Sequence, residues 1–261
     1  MSVISYRSSR LYTGAPYSAI DPQKPTSSAT GRATVITGGA TGIGLAMARN
    51  FAIAGASTIV LLARREETLQ RAFSELSATF PNIQFLVYAV SITDETGIQK
   101  VFSSVRQDAR NKDIDVLVTS AALAKADKPL SKTPSLEVKA IFETNVFGNL
   151  NVGRQGPYGA SKDAFSFLMH HVQIKHPELH VYTLHPGAVC TQAGAAAGMT
   201  EDMFDWNEED LPGQFVVWLA GQEADFLKGK FLASHWDVTE LMAKKEALAL
   251  DADLSTIGLR R

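Results

Sequence analysis

The sequence predicts an α/β fold in which helices cover both faces of a parallel β-sheet. Short apolar segments alternate with longer segments of helical spacing from residue 33 onward. The apolar segments show no regular polar alternation, so both faces of each strand are expected to be buried, as in parallel sheets. The first apolar segment runs directly into a glycine-rich turn. With right-handed crossovers, these features predict a doubly wound parallel sheet.

The predicted elements follow one another in a regular order. Ala33–Thr37 is short and apolar, as expected of a buried strand, and the helix over 43–54 has apolar residues three or four positions apart. Strand and helix then alternate three more times, and a later strand is expected at the end of this series. These elements are the strands Ser57–Ala63, Gln84–Val90, Asp113–Thr119 and His180–Leu184, and the helices over 65–79, 94–109 and 134–150.

Composition limits the class of protein. The chain has 261 residues, 45% hydrophobic and 20% charged, with a formal net charge of -2. This balance argues against nucleic acid or an anionic membrane surface as the main partner. Cys190 is the single cysteine, so no internal disulfide can form, which suits a reducing compartment. No apolar run approaches the roughly 18–20 residues of a membrane span. The expected location is the cytoplasm.

The chain divides into an arm and one domain. Residues 1–31 are rich in Ser, Pro, Gly and Tyr without periodicity, and they predict an irregular arm. Residues 32–261 are expected to form a single domain. Within it, the stretch over about 192–212 predicts a substrate lid or, alternatively, a disordered loop. The amphipathic extension over about 236–261 is a candidate surface for a homo-oligomer.

The glycine-rich turn is a candidate phosphate site. Thr37 is followed by Gly38, and Thr41-Gly42-Ile43-Gly44 then opens the first helix. Glycines allow close approach of phosphates to the backbone, and a helix N-terminus offers free N–H groups with a positive partial charge. The alternative is a tight glycine turn without a ligand.

Several motifs in order resemble the short-chain dehydrogenase/reductase family. They are Thr-Gly-x-x-x-Gly-Ile-Gly at Thr37–Gly44, Asn145 in a helix, Tyr158-x-x-x-Lys162, and Pro186–Thr191 after a strand. The C-terminal part of the sequence is similar to reductases of filamentous fungi, many of which act in secondary metabolism. The resemblance implies a three-layer Rossmann-type domain that interconverts a ketone and a secondary alcohol of a small molecule.

The resemblance also implies which residues hold a nicotinamide cofactor. Val189 is expected at the nicotinamide and Thr191 at the phosphates, while Ser91 replaces the family's usual adenine-contacting Asp. Arg64 follows the second strand where relatives that use NAD place an acid, and no acid occurs before Glu66. An arginine can pair bidentately with a 2′-phosphate, which favours NADP(H). The alternative for Arg64 is a solvated arginine. The stretch Thr119–Ala122 departs from the family's Asn-Asn-Ala-Gly.

Tyr158, Lys162 and Asn145 are the candidate catalytic residues. Hydride reduction of a ketone needs a proton for the developing alkoxide, and a lysine one helical turn from a tyrosine lowers the pKa of its phenol. The resemblance implies that Asn145 binds a water molecule that takes part in the proton relay. Alternatively, Tyr158 and Lys162 are ordinary, partly exposed helix residues.

The stretch between Asn145 and Tyr158 is too short for the family pattern. The family has a fifth strand there, with a serine that polarises the substrate carbonyl, and this chain has neither. We therefore expect an internal deletion and a sheet without its fifth strand. The neighbouring strands must then close up or leave two inner edges exposed. The alternative function is an impaired remnant or truncated gene product that at most binds cofactor.

Overall fold

The computed structural model describes residues 14–108, 113–123, 134–153, 169–170, 172–192, 195, 200, 202–203 and 205–250. Tyr158 and Lys162 lie outside this described part of the chain, as do several residues of the stretch over 192–212 and the segment 251–261.

The first four strands form one parallel sheet. They are β1 (Ala33–Thr37), β2 (Thr58–Ala63), β3 (Gln84–Ala89) and β4 (Val116–Thr119), in the spatial order β3-β2-β1-β4. All three neighbouring pairs are parallel. Because the order reverses between β1 and β4, the carboxyl ends of these strands flank a crevice suited to a ligand. The prediction of a doubly wound parallel sheet is confirmed.

Helices pack on both faces of this sheet. The helices are α1 (Gly42–Ile53), α2 (Glu66–Thr79), α3 (Glu95–Asp108), α4 (Ser135–Phe142) and α5 (Asn149–Gly153), with a π-helix over Glu143–Gly148 joining the last two. Ile36 on β1 belongs to the core cluster of α1 and α2. Its neighbour Val35 belongs to the cluster of α3, which also contains Val152. Since successive strand residues point to opposite faces, both faces are covered and the domain has three layers.

The last two strands form a separate sheet. β5 (Thr183–His185) pairs in parallel with β6 (Phe231–Ala233), and neither joins the four-stranded sheet. Within the described residues, no strand lies between β4 and β5. All four residues of β4 are only half-buried, as expected of a strand at a sheet edge. Of the two expected outcomes, the described residues thus show the second, in which β4 and β5 do not pair.

The C-terminal part forms a second core. It contains α6 (Asp210–Leu219), a 3-10 helix over Gln222–Leu227, α7 (Val238–Ala243) and α8 (Lys245–Leu250). Phe215 and Trp218 of α6 are almost fully buried, with ring centroids 5.6 Å apart. Asn50 of α1 joins the two parts, because its Nδ2 donates to Asp210 Oδ1 at 2.8 Å.

Residues 14–31 contact both cores, because Ile20 lies in this second core and Ala29 lies in the core cluster of α1 and α2. They are irregular apart from two short 3-10 helices at Ser18–Ile20 and Pro25–Ser27. The Ile20 side chain is fully buried beside α6. Tyr17 Oη donates to the Trp236 carbonyl at 3.0 Å and accepts from the Val238 N–H at 2.9 Å. Burial raises the pKa of the Tyr17 phenol to about 12.

Some predicted bounds were wrong. The strand predicted at Asp113–Thr119 begins only at Val116, because the Asp115 carboxylate accepts the Ala33 N–H at 2.7 Å ahead of the ladder. The predicted helix over 134–150 is interrupted by π geometry and continues to Gly153. The helical segment therefore runs past Gly148. The strand predicted at His180–Leu184 is shorter and later, at Thr183–His185.

Candidate functional site

The glycine turn after β1 has no room for side chains. Gly38 and Gly42 have φ values of +67° and +52°, a region that L-residues with side chains rarely adopt. A Cβ on Gly44 would meet the Gly38 carbonyl oxygen and lie 2.8 Å from its carbonyl carbon. The turn is therefore held tightly against the start of α1.

The start of α1 is an open cradle. Thr41 is its N-cap residue, and its side chain makes no capping hydrogen bond. The first N–H groups of an α-helix have no partner within the helix. Ile43 packs on the core, which fixes the direction in which the helix leaves the turn. An uncapped N-terminus behind close-packed glycines has the geometry that binds pyrophosphate, so these residues fit a dinucleotide.

Arg64 and Ser91 follow neighbouring strands at the same sheet edge. Leu62 of β2 pairs with Thr37 of β1, and the Leu62 carbonyl accepts the Gly38 N–H at 2.8 Å. Arg64, two residues later, is exposed beside the turn. The Ser91 hydroxyl lies 2.8 Å from Thr93 Oγ1 in a local turn after β3. Both predicted residues thus follow strands at the carboxyl edge of the sheet, and their roles stay predictions.

Asn145 is fixed by the segment after β4. Its Oδ1 accepts the Leu123 N–H at 2.7 Å, and its Nδ2 donates to the Leu123 carbonyl at 3.0 Å. Asn145 lies in the π-helix, a feature frequent at functional sites. The segment is itself tied to β1, because the Ala121 N–H donates to Thr37 Oγ1 at 3.1 Å. Asn145 is therefore held at the carboxyl end of the sheet.

Asn149 is a residue that the sequence reasoning missed. It is buried, and its Nδ2 donates to the Asn145 carbonyl at 3.1 Å. Asn149 is therefore bonded to the backbone of Asn145, the residue that the resemblance places in proton transfer. The available signal was its position four residues after Asn145, on the same helical face.

The Pro186–Thr191 segment follows β5 and is held by Asn207. Asn207 Oδ1 accepts the Ala188 N–H at 3.0 Å, and the Asn207 N–H donates to the Ala188 carbonyl at 2.6 Å. Val189 forms an isolated bridge with Asn207 and is buried. Thr191 Cγ2 lies 3.3 Å from the position of a Cβ on Gly42. Thr191 therefore adjoins the phosphate cradle, although it follows β5 of the two-stranded sheet.

Glu209 is a second missed residue. It precedes α6, and its Oε1 lies 3.9 Å from the same Cβ position on Gly42. Burial raises the pKa of the Glu209 carboxyl, an effect that Arg49 opposes and Asp210 reinforces. The sequence showed only an acidic run after the predicted lid, which did not indicate contact with the turn.

Only part of the predicted catalytic set lies among the described residues. Asn145 is placed at the site, whereas Tyr158 and Lys162 lie outside the described residues. In the described part of the chain, no group of three His, Cys, Asp or Glu side chains is arranged to hold a metal ion. No helix among the described residues is both long and apolar enough to cross a membrane.

Comparison with known proteins identifies the family. A sequence model of short chain dehydrogenases matches residues 32–156. A short chain dehydrogenase/reductase of Claviceps purpurea is 34% identical over 283 positions, which cover 97% of this chain and 94% of the relative. AacuD, a short chain dehydrogenase/reductase of Aspergillus aculeatus, is 30% identical and covers 88% of this chain and 89% of its own length. The chain belongs to the short-chain dehydrogenase/reductase family of oxidoreductases, and it resembles fungal members.

Solved structures agree on the fold. L-sorbose reductase from Gluconobacter frateurii, complexed with NADPH and L-sorbose, has a TM-score of 0.68 at 21% identity over 80% of this chain and 96% of that one. YwfH, an NADPH-dependent reductase of bacilysin biosynthesis, has a TM-score of 0.67 at 15% identity over 78% of this chain and 96% of its own. These similarities confirm the Rossmann-type fold.

Proposed function

We propose that this chain is an NADP(H)-dependent oxidoreductase that interconverts a ketone and a secondary alcohol. The observation that supports it best is the uncapped N-terminus of α1 behind Gly38, Gly42 and Gly44, with Thr191 beside it. A turn that excludes side chains and offers free N–H groups suits a pyrophosphate. When bound, the nicotinamide supplies or accepts the hydride.

The preference for NADP(H) rests on charge at the end of β2. Arg64 is exposed beside the turn, and the next residue able to accept a ribose hydroxyl is Glu66, at the start of α2. An arginine there attracts a 2′-phosphate, whereas an acid would repel it. NADPH is named for both L-sorbose reductase and YwfH, which agrees with this preference.

Proton transfer is assigned to Tyr158, Lys162 and Asn145. The two bonds between Asn145 and Leu123 hold the amide rigidly, as a positioned relay residue requires. Tyr158 would exchange the proton with the substrate oxygen, and Lys162 would lower the pKa of the phenol. Ser91, Val189 and Thr191 complete the proposed cofactor contacts, with Thr41 and Ile43 at the helix start.

The proposed substrate is a small apolar or polyketide-like carbonyl compound or alcohol of fungal secondary metabolism. Its support is the similarity to reductases of Claviceps, Aspergillus and Monascus species. We further propose a cytoplasmic protein that forms a homo-oligomer through its C-terminal extension over 236–261. The arm over 1–31 and a lid over about 192–212 belong to the same proposal.

A second candidate function is binding of cofactor without turnover. The separation of β4 from β5 favours it, because the two sheets hold different parts of the site. The alignment with the Claviceps relative spans 283 positions, more than the 261 residues of this chain, so at least 22 positions have no counterpart here. This length difference agrees with a deletion, and the proposal to place it between Asn145 and Tyr158 rests on the short spacing of those two residues.

Binding and turnover assays distinguish the two functions. Purified protein is titrated with NADPH by fluorescence, and NADPH oxidation is then followed with a panel of ketones. Turnover that Tyr158→Phe abolishes supports the oxidoreductase. Binding without turnover supports the remnant, and absence of both contradicts each function.

Restoring the missing segment tests the deletion. The aligned residues of the Claviceps relative are inserted between Asn145 and Tyr158, and the product is assayed in the same way. Turnover that appears only after insertion supports a deletion within an active parent. Transcript sequencing across codons 145–158 would show whether the shorter form is the natural one.

A further inference from the structure

A carboxylate lies where the phosphate cradle should be free of negative charge. Dinucleotide-binding turns keep a glycine at the position of Gly42 because the pyrophosphate approaches the backbone there. In this structure Glu209 Oε1 lies 3.9 Å from the point that a Cβ on Gly42 would occupy. The Glu209 carboxylate therefore adjoins the space that a bound pyrophosphate needs.

Within the described part of the chain, the charges around Glu209 do not cancel its own. Arg49 of α1 is the cation whose field reaches it, but Arg49 already pairs with Glu75 of α2 at 2.9 Å. Arg49 also lies 4.0 Å from Asp210, the residue after Glu209. Three carboxylates thus share one guanidinium. Partial burial of Glu209 further destabilises its negative charge, since desolvation penalises the charged form of the carboxyl.

Among the contacts of the described residues, none gives the Glu209 side chain a structural role. It is the N-cap residue of α6, yet its side chain makes no capping bond to that helix. The neighbouring Asp210 instead accepts from Asn50 at 2.8 Å and joins α6 to α1. A glutamine at position 209 would therefore keep the local packing and remove only the charge.

We propose that Glu209 acts as an electrostatic gate in the phosphate cradle, which weakens dinucleotide binding until its carboxylate moves away or takes up a proton. This inference rests on the proposed cofactor site and adds a residue that controls access to it. The repulsion acts on the pyrophosphate and not on the adenosine end, because Glu209 adjoins Gly42. Ligands without a pyrophosphate should therefore be insensitive to it.

The test compares Glu209→Gln with the unaltered chain and with Glu208→Gln. Glu208 is adjacent and exposed, so the control removes the same formal charge from outside the cradle. Each protein is titrated with NADPH and with adenosine 2′-monophosphate, which has no pyrophosphate. We expect Glu209→Gln to bind NADPH at least ~10-fold more tightly, because it removes one negative charge from a partly buried position beside the bound pyrophosphate. Glu208→Gln should stay within about twofold, because exposed charges are well screened.

Each outcome has a defined meaning. Tighter NADPH binding by Glu209→Gln alone, with unchanged adenosine 2′-monophosphate binding, supports the gate. The gate is also supported if Glu209→Gln binds NADPH measurably and the other two proteins do not. Equal NADPH affinity in all three proteins overturns the gate while leaving the proposed function intact, as does equal tightening for both ligands. If none of the three binds NADPH, both the gate and the proposed function are wrong.

Discussion

Substitution of Gly44 by alanine tests the close packing of the glycine turn. The added Cβ would meet the Gly38 carbonyl oxygen, and it would lie 2.8 Å from the Gly38 carbonyl carbon and 3.2 Å from Gly39 Cα. All three are backbone atoms, so no side-chain rotation relieves the clash. The turn and the start of α1 must move apart.

The expected magnitude follows from this geometry. Overpacking of a well-packed site costs about 1–3 kcal/mol, and a backbone obstacle places Gly44→Ala at the upper end of that range. For a chain of this size, each kcal/mol lowers Tm by about 2–4 °C, so we expect a fall of about 4–12 °C. Because the same movement displaces the cradle N–H groups, NADPH affinity should fall at least ~10-fold.

Thermal unfolding and NADPH titration measure the two effects. Gly14→Ala is the control, because its Cβ would meet its nearest neighbour, Asn207 Nδ2, at an ordinary 3.6 Å. Its Tm and NADPH affinity should match those of the unaltered chain. A Gly44→Ala protein with unchanged Tm and unchanged NADPH affinity would refute the packing argument.

Three further predictions concern single side chains. Asn145→Ala removes both bonds to Leu123 and leaves the Leu123 N–H and carbonyl without these partners. The free energy of unfolding should fall by about 2 kcal/mol in a urea titration. An unchanged midpoint would contradict this prediction. Tyr17→Phe should cost about 1 kcal/mol in the same titration. Since the folded-state pKa of Tyr17 is raised to about 12, its contribution is complete below the usual value near 10 and is lost as pH rises from there toward 12, so the difference from Tyr17→Phe should shrink over that interval. Arg64→Asp should reverse the preference for NADPH over NADH in binding titrations, and an unchanged preference would exclude a role for Arg64.

The first half of the fold could be predicted from the sequence because its signals are local. The apolar segment at β2 predicts a strand buried on both faces, and the helical spacing of α1 predicts which residues face the sheet. The predicted bounds failed where a distant contact decides the backbone. Asp115 pairs with Ala33, and β4 begins one residue later. Asn145 pairs with Leu123 and lies in a π-helix, where a continuous α-helix was expected.

The candidate site was predictable to a similar extent. Its glycines follow directly from the requirements of a tight strand-to-helix turn, so the residues around Gly42 were found from spacing alone. Glu209 and Asn207 were missed because they reach the site from a segment far along the chain. No periodicity in the sequence indicates that the residue before α6 lies beside Gly42.

The division into two sheets explains how cofactor binding and turnover can be lost independently. The phosphate cradle and Arg64 belong to the four-stranded sheet, whose core is closed on both faces. Val189 and Thr191 follow β5 in the other sheet, and α1 and α6 hold the two parts together through Asn50 and Asp210. In the proposed function, the adenosine side of the cofactor depends on the first sheet alone, so its binding site can remain intact when the second sheet shifts. In the proposed function, the nicotinamide and the substrate need both sheets at a fixed distance. We therefore expect turnover to be more sensitive than cofactor binding to the separation of β4 from β5 that the described residues show.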